Sequence, residues 1–447
     1  MDARHGRRER PYRRDTGATE DTASRRLARF RRLSSHFGTS SEPPGAALLW
    51  AAGAACFALV AAGTSLAWPD RSPLSPDNPG GDSSWAWAYL ILLAAAFFFY
   101  VAGVLLLARG ARLGPAGRVL LVAVAIQLAP LAAPVLLSTD VYTYWDYGRL
   151  SAIHGENPYV VEPIAEPQDP AFERMGLNWR ETTTVYGPAF TLASEAHAVA
   201  VGDSAAVAAW TYKAVAALAV VLMAWLATRI AARPALAAAF VGWNPVLAVH
   251  FAGGGHNDAW MMALVAAALG LALAGRRQLA GGAWVLAIAM KWVAVVFLPL
   301  RALEARRQGR RVGHLGFAVA AAAVVAVATW RYGGGWLDAF GPLSRNLREG
   351  ARYSLPNRVE SLGVPEGAAV GIFLGLFGLA YLWLLREAWR GRARLGLAAG
   401  LLMLASPWLV PWYAVWTVPL AAIEEDRAAR LLALGLSAYL LPAYVPV

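Results

Sequence analysis

The stretch LLSTDVYTYWDYGRLSAIHGENPYVV, residues 136–161, sets Asp140, Asp146, Arg149, His154 and Glu156 among five aromatic residues, directly after an apolar run. A carboxylate in such a place can accept a proton from an attacking hydroxyl, or it can cap a helix. Positions six apart on one helix differ by about 240°, so Asp140 and Asp146 face different ways. They do not make the paired carboxylates of a glycosidase. Asp146 and Arg149 are three apart and placed to pair. Asp140 is left as a single carboxylate, which suffices as the base of an inverting displacement. A helix starting at Val141 with Asp140 as its cap, inside an interfacial aromatic belt, accounts for the same residues.

VHFAGGGHNDAWMM is a second candidate. Three successive glycines are poor helix material and let backbone approach a ligand closely. His256, Asn257 and Asp258 follow and could hydrogen-bond sugar hydroxyls, although Asp258 could also cap a helix. The spacing lacks the HExxH pattern of a metal site. Lys291, in LAIAMKWVAVVF, is a cation inside an apolar run and needs a partner, either a lipid phosphate or an acidic side chain. Lys213, in AWTYKAV, sits near the end of its run, where it could snorkel. In HGENPYVVEP, Gly155 suits a helix end and Asn157-Pro158 a turn. In TTTVYGPAF, Tyr186 precedes a Gly-Pro breaker and would stand at a cavity rim. ASPWLVPWYAVW gathers Trp408, Trp412 and Tyr413 around two prolines, as a broken helix or an aromatic belt.

These residues need a scaffold, and composition points to a membrane. The chain has 447 residues, 58% hydrophobic, with mean hydropathy +0.44. Soluble domains are about 45–50% apolar. Ala46–Trp68, Trp85–Ala108 and Val119–Leu137 each reach the roughly 20 residues needed to span hydrocarbon. The net charge of +11 does not point to nucleic acid. Eleven arginines lie in residues 1–44 and others in short loops, as orientation signals do. Residues 1–44 are expected to be a disordered basic cytoplasmic tail, and 45–447 one transmembrane domain. The lone Cys56 offers neither a disulfide nor a thiolate metal site.

Basic clusters belong on the cytoplasmic side, which places the loop 138–185, with eight acidic residues and three arginines, outside. The charge pattern predicts that Tyr186–Val201 lies at the interface or dips in without crossing, so that 138–205 forms an external catalytic loop with interfacial helices. Arg276 and Arg277 precede Leu279–Leu300, and Arg306, Arg307, Arg310 and Arg311 follow it. Both clusters want the same side. Two half-helices of about ten residues would each reach about 15 Å, with Lys291 near the tip; a single span with inverted charge is the competing reading. A second external loop covers 331–366. About 10–12 membrane segments are expected, and the side of Val447 stays open.

Five stretches together resemble the polyprenyl-phosphate-mannose-dependent α-1,6-mannosyltransferases of actinobacteria, membrane glycosyltransferases of the GT-C type. They are STDVYTYWDYGRLSAIHGENPY, WRETTTVYGPAF, NPVLAVHFAGGGHNDAWMM, AMKWVAVVFLPL and SPWLVPWYAVWTVPL, in order across residues 119–425. The resemblance implies an all-α polytopic GT-C bundle. It also implies metal-independent, inverting transfer from a lipid-phosphate sugar on the extracytoplasmic face, in the assembly of lipomannan of the cell envelope. The family's loop aspartate falls on Asp140. Its Asn/Asp-Pro-Tyr, Tyr-Gly-Pro and His-Asn-Asp signatures fall on Asn157–Tyr159, Tyr186–Pro188 and His256–Asp258, and its intramembrane lysine on Lys291.

The expectation is therefore a multi-pass plasma-membrane mannosyltransferase with Asp140 as catalytic base. Its substrate-binding candidates are Tyr144, Arg149, Asn157, Tyr159, Tyr186, His256, Asn257, Asp258, Lys291, Arg358, Trp412 and Tyr413. Polyprenyl phosphate mannose would be a co-substrate rather than a cofactor, and a lipid-linked glycan the acceptor. A cation, Lys291 or an arginine of loop 331–366, would offset charge on the departing phosphate. A transporter or flippase of a polar lipid is the alternative, since it too would use broken helices and an intramembrane charge.

Overall fold

A computed structural model describes residues 45–76, 78, 81–365 and 367–447; side chains of 346–349 are outside the described set, as is the expected tail 1–44. The described chain is helical, with no strand among the described residues. In order, the helices are α1 (Ala46–Ser65), α2 (Ser83–Ala108), α3 (Ala116–Leu128), α4 (Asp140–Ala152), α5 (Pro188–Val201) and α6 (Ala205–Ile230). Then come α7 (Pro234–Gly242), α8 (Pro245–Ala248), α9 (Asp258–Leu273), α10 (Arg277–Met290), α11 (Phe297–Arg307) and α12 (His314–Tyr332). The last six are α13 (Phe340–Glu349), α14 (Leu355–Glu360), α15 (Ala368–Trp389), α16 (Leu395–Ala405), α17 (Ala414–Glu424) and α18 (Arg427–Tyr439). The protein is an all-α polytopic membrane protein. In lipid every backbone polar group must be satisfied internally, which leaves helices as the spanning element for such apolar runs.

Five helices, α1, α2, α6, α12 and α15, are long and apolar enough to cross a membrane. α7 with α8 and the π-helical turn Val249–Gly253, bent by 49°, is apolar enough for a broken span or a re-entrant loop. Pro245 forces that bend by removing a backbone donor. Gln127 of α3 meets the consequence: its amide donates to the carbonyls of Gly242 and Asn244, both at 3.1 Å. Full-length spans are fewer than the 10–12 segments expected, because shorter arms replace several of them.

Two sets of loops tie the ends of the bundle together. At one end Arg233 donates to the carbonyls of Leu107 and Ala108, Gln308 to that of Gly391, and Arg394 pairs with Asp426 at 2.6 Å. This end carries the arginine-rich turns. At the other end Asn157 donates to the Tyr332 carbonyl at 2.8 Å, and Tyr439 to the Tyr353 carbonyl at 2.9 Å. The second tie puts the end of α18 with the loops 138–187 and 331–366, and so settles the side of the C-terminal residues relative to them.

The segment 279–300 is a hairpin. Arg277 at the start of α10 and Arg306 at the end of α11 line one cavity, so the two arms return to the same end. Between them a 3₁₀ turn, Trp292–Val296, follows Lys291 at the tip. α10, of 14 residues, is about 21 Å long, more than the roughly 15 Å expected of each arm. The pair α16 and α17 does likewise: Glu424 accepts from the backbone of Leu395 and Gly396, and the tip is the proline-rich 406–413. α5 has 14 residues and packs on α4. Gly148 permits that packing, since a Cβ there would lie 2.1 Å from the Ser194 carbonyl oxygen.

The expected span 119–137 stops early. Pro130 and Pro134 end α3 in a 3₁₀ turn, Ala129–Ala132, and the chain runs on extended. Lys213 does not snorkel. It is buried, and its ammonium donates to the freed carbonyls of Ala133 and Pro134.

Candidate active site

Residues 136–141 pass directly across the triple glycine. Leu136 N–H donates to the Gly253 carbonyl at 3.1 Å. A Cβ on Gly253 would stand 2.5 Å from Leu136, and one on Gly255, whose φ is +69°, 2.4 Å from Val141. The close approach these glycines allow is thus to the segment that carries Asp140. It brings two stretches more than a hundred residues apart in sequence into one site.

Asp140 is the first residue of α4, but its carboxylate is not spent on capping. Its Oδ2 lies 3.2 Å from His256 Nδ1 and accepts from the Tyr144 hydroxyl at 3.4 Å. An ionised carboxylate only accepts, so Nδ1 carries the proton in this contact. Burial alone would raise the Asp140 carboxyl. The hydrogen bond and charge of His256, the Ser138 hydroxyl and the charge of Lys291 outweigh it and hold the group below its ordinary value. His256 stacks on Trp412, centroids 3.6 Å apart and 11° from parallel, which fixes the plane of the imidazole. Tyr144 is wedged edge-on among Tyr186, Phe190 and Tyr212.

Asp258 opens α9 and is fully buried. Both of its oxygens accept from Lys291 at 2.8 Å, and Oδ1 also accepts from the Trp416 indole at 2.6 Å. The Lys291 ammonium sits 5.0 Å from the Tyr413 ring centroid and 5.9 Å from those of Tyr186 and Trp416. Asp258 is thus an acidic side-chain partner for Lys291. Asn257 is buried, and neither of its amide atoms has a hydrogen-bond partner among the described residues.

These residues border a cavity of about 1050 Å³. Asp140, Tyr186, Lys291, Trp412 and Tyr413 line it directly, with His256 and Asp258 behind Asp140 and Lys291. Arg174, Arg180, Trp416 and Tyr444 also line it and were not singled out from the sequence. The arginines had a faint signal, as two of three basic residues in an acidic loop. Tyr444 had none while the side of the C-terminal residues was open.

The remaining candidates lie elsewhere. Arg149 is buried against Asp169 at 2.8 Å and Asp203 at 2.8 Å, and also donates to the Gly202 carbonyl. Its ion pairs are therefore not with Asp146, the partner its spacing suggested. Burial, then the neighbouring Asp169 charge, pushes the Asp146 carboxyl up to about 7. Asn157 builds a turn, accepting from Tyr159 N–H at 3.1 Å. The Tyr159 hydroxyl donates to the Tyr186 carbonyl at 3.0 Å. Both brace the rim rather than line the cavity. Arg358 is exposed, 5.1 Å over the Tyr353 ring, and the lining includes no described side chain of 344–366.

Residues 46–307 match the family described as alpha-(1->6)-mannopyranosyltransferase, N-terminal domain, and residues 362–447 match the MptB C-terminal domain. The chain is 29% identical over 366 residues to alpha-(1->6)-mannopyranosyltransferase A of Mycobacterium tuberculosis, covering 72% of this chain and 68% of that protein. It is 34% identical over 173 residues to the enzyme of the same name in Corynebacterium glutamicum, covering 38% of this chain and 34% of that protein. No solved structure matches the chain. With more than half its length matched by one family, the chain belongs to the alpha-(1->6)-mannopyranosyltransferases, a family of membrane glycosyltransferases.

Proposed function

We propose that the chain is an inverting, GT-C-type mannosyltransferase that moves mannose from a polyprenyl phosphate to a hydroxyl of a lipid-linked glycan. Asp140 takes the proton of the acceptor hydroxyl. The hydroxyl oxygen forms the new bond to the anomeric carbon from the face opposite the phosphate. The bond from that carbon to the phosphate oxygen breaks, and its electron pair leaves with the polyprenyl phosphate. Phosphate is a stabilised leaving group, so this route calls on neither a general acid nor a metal ion.

The observation that carries this reading is one ionised carboxylate, oriented by a histidine, at the wall of a cavity lined with aromatic rings. Trp412, Tyr413 and Tyr186 offer faces for a sugar to stack on. Arg174 and Arg180 stand on the same cavity and are the cations proposed to face the phosphate, because Lys291 is committed to Asp258. Val293, Val296 and Leu402 give the cavity an apolar side along which a prenyl chain could lie. The arginine-rich turns at the far end of the bundle support an extracytoplasmic site.

The test is transfer from labelled polyprenyl phosphate mannose in membranes holding Asp140→Asn. Near-normal transfer by a correctly folded variant would remove Asp140 as the base.

A further inference from the structure

A second cavity, of about 610 Å³, lies at the arginine-rich end, one length of α10 away from Lys291. Arg277, Arg306, Arg310, Arg311 and His314 line it, and no acidic residue does. None of these four arginines forms an ion pair among the described residues. Glu304, the carboxylate nearest in sequence, is turned away to Arg301 and to the backbone of Ala393. Four like charges around one concavity repel each other, and a bound anion would relieve that. The site is also fixed in place: the Gln278 side chain accepts from Gly316 N–H at 2.8 Å, clamping α10 to α12 beside it.

The wall tells which anion. Ala302, Leu303, Val312 and Leu315 give the lining its apolar part, beside the Gln278 amide, and Leu315 is 67% exposed. Val319, one turn further along α12, is 60% exposed, and only 11% of that helix's apolar window is buried by the rest of the chain. The basic cavity therefore opens onto a lipid-facing apolar stripe. A free phosphate would use the arginines but not the stripe, and an acidic protein would have to reach past it into the bilayer.

We propose that this cavity binds the headgroup of an anionic phospholipid whose acyl chains lie along α12. Basic pockets between membrane helices recognise such headgroups, with about 1 kcal/mol for each arginine near the surface. This converts to about fivefold in affinity for each arginine removed.

The experiment uses the full chain in detergent, titrated with phosphatidylglycerol, with phosphatidylcholine and with inorganic phosphate, and followed by thermal unfolding and native mass spectrometry. Phosphatidylglycerol should raise the melting temperature and remain bound, and the other two should do neither. The variant R277Q/R306Q/R310Q/R311Q should lose this response. A control, R109Q/R112Q/R276Q/R307Q, removes equal charge outside the cavity and should keep it. Should the fourfold variant fail to fold, R310Q/R311Q, confined to the turn between α11 and α12, should weaken binding by about 25-fold. Equal loss in the control and cavity variants would reduce the effect to general surface charge and overturn the proposal. An equal response to inorganic phosphate would overturn the lipid assignment. Retention of an acidic protein in place of phosphatidylglycerol would overturn it too. Transfer activity is not the readout, so the outcome is independent of the function proposed above.

Discussion

His256 Nδ1 lies 3.2 Å from Asp140 Oδ2 although 116 residues separate them, and Trp412 stacks behind the imidazole. The contact orients the carboxylate and keeps it ionised. Asp140→Asn is expected to lower transfer by about 10²–10⁴-fold, the span of general-base effects. His256→Ala should reduce it less. It should also move the acid limb of the kcat/KM profile upward, because burial would then raise the Asp140 carboxyl with less opposition. Initial rates against pH for both variants make the check. An unmoved acid limb in His256→Ala would sever the histidine from the base.

Lys291 and Asp258 form the other polar pair of the site, and here stability is the informative readout. Removing one partner of a buried ion pair leaves an uncompensated charge, at a cost of about 3–5 kcal/mol. Lys291→Met should strand the fully buried Asp258 and unfold at a distinctly lower temperature. Lys291→Met/Asp258→Asn should recover much of that loss. A double variant no more stable than Lys291→Met would show that the pair is not coupled in this way.

Gly255 should tolerate nothing larger. Its φ of +69° disfavours a side chain, and a Cβ would stand 2.4 Å from Val141, the residue after the base. Gly255→Ala is expected to lower both stability and transfer, whereas Gly334→Ala, with open space at its Cβ, should leave transfer unchanged. Parallel melting and activity measurements would separate the two. Normal transfer by Gly255→Ala would show that the crossing of 136–141 over the glycines does not position Asp140.

How much of this was legible in the sequence depended on range. Charge parity marked 279–300 as a hairpin, because arginines flank it on both sides and the rule acts locally. Helical spacing separated Asp140 from Asp146 for the same reason. Pairings were another matter. Arg149 had Asp146 at helical distance, yet it binds Asp169 and Asp203, since the loop 153–187 and the turn after α5 fold back over α4 and no periodicity encodes that. Lys291 had two classes of partner open, and choosing Asp258, 33 residues away, needed the relative rotation of α9 and α10. The triple glycine read correctly as a place of close approach, but what approaches is the chain itself. Arg174 and Arg180 reach the cavity only because an irregular loop carries them there.

Asp146 supplies a prediction in which the sign of the pH effect can be worked out. It is buried, and its carboxyl is raised from the ordinary range to about 7 in the folded protein. A raised acid binds its proton more tightly in the folded state. Its contribution to stability is therefore fully present below the ordinary carboxylate value and is lost as pH rises through about 7. Asp169 runs the other way. Burial would raise it, but hydrogen bonds from Arg149, His154 and the Ala171 backbone and the charge of Arg149 hold it below its ordinary value. Its contribution is present above that value and lost in acid. The folded protein should thus weaken on both sides, through Asp169 in acid and through Asp146 between about pH 4 and pH 7, where its loss is complete. Asp146→Asn carries no charge to bury at pH 8. It should melt higher than the parent there by a few degrees, match it near pH 4, and keep the acid limb set by Asp169. Melting of the purified chain in detergent across pH 4–8 decides the matter. A variant that melts below the parent at pH 8 would mean that Asp146 is held ionised by its arginine neighbours rather than protonated by burial.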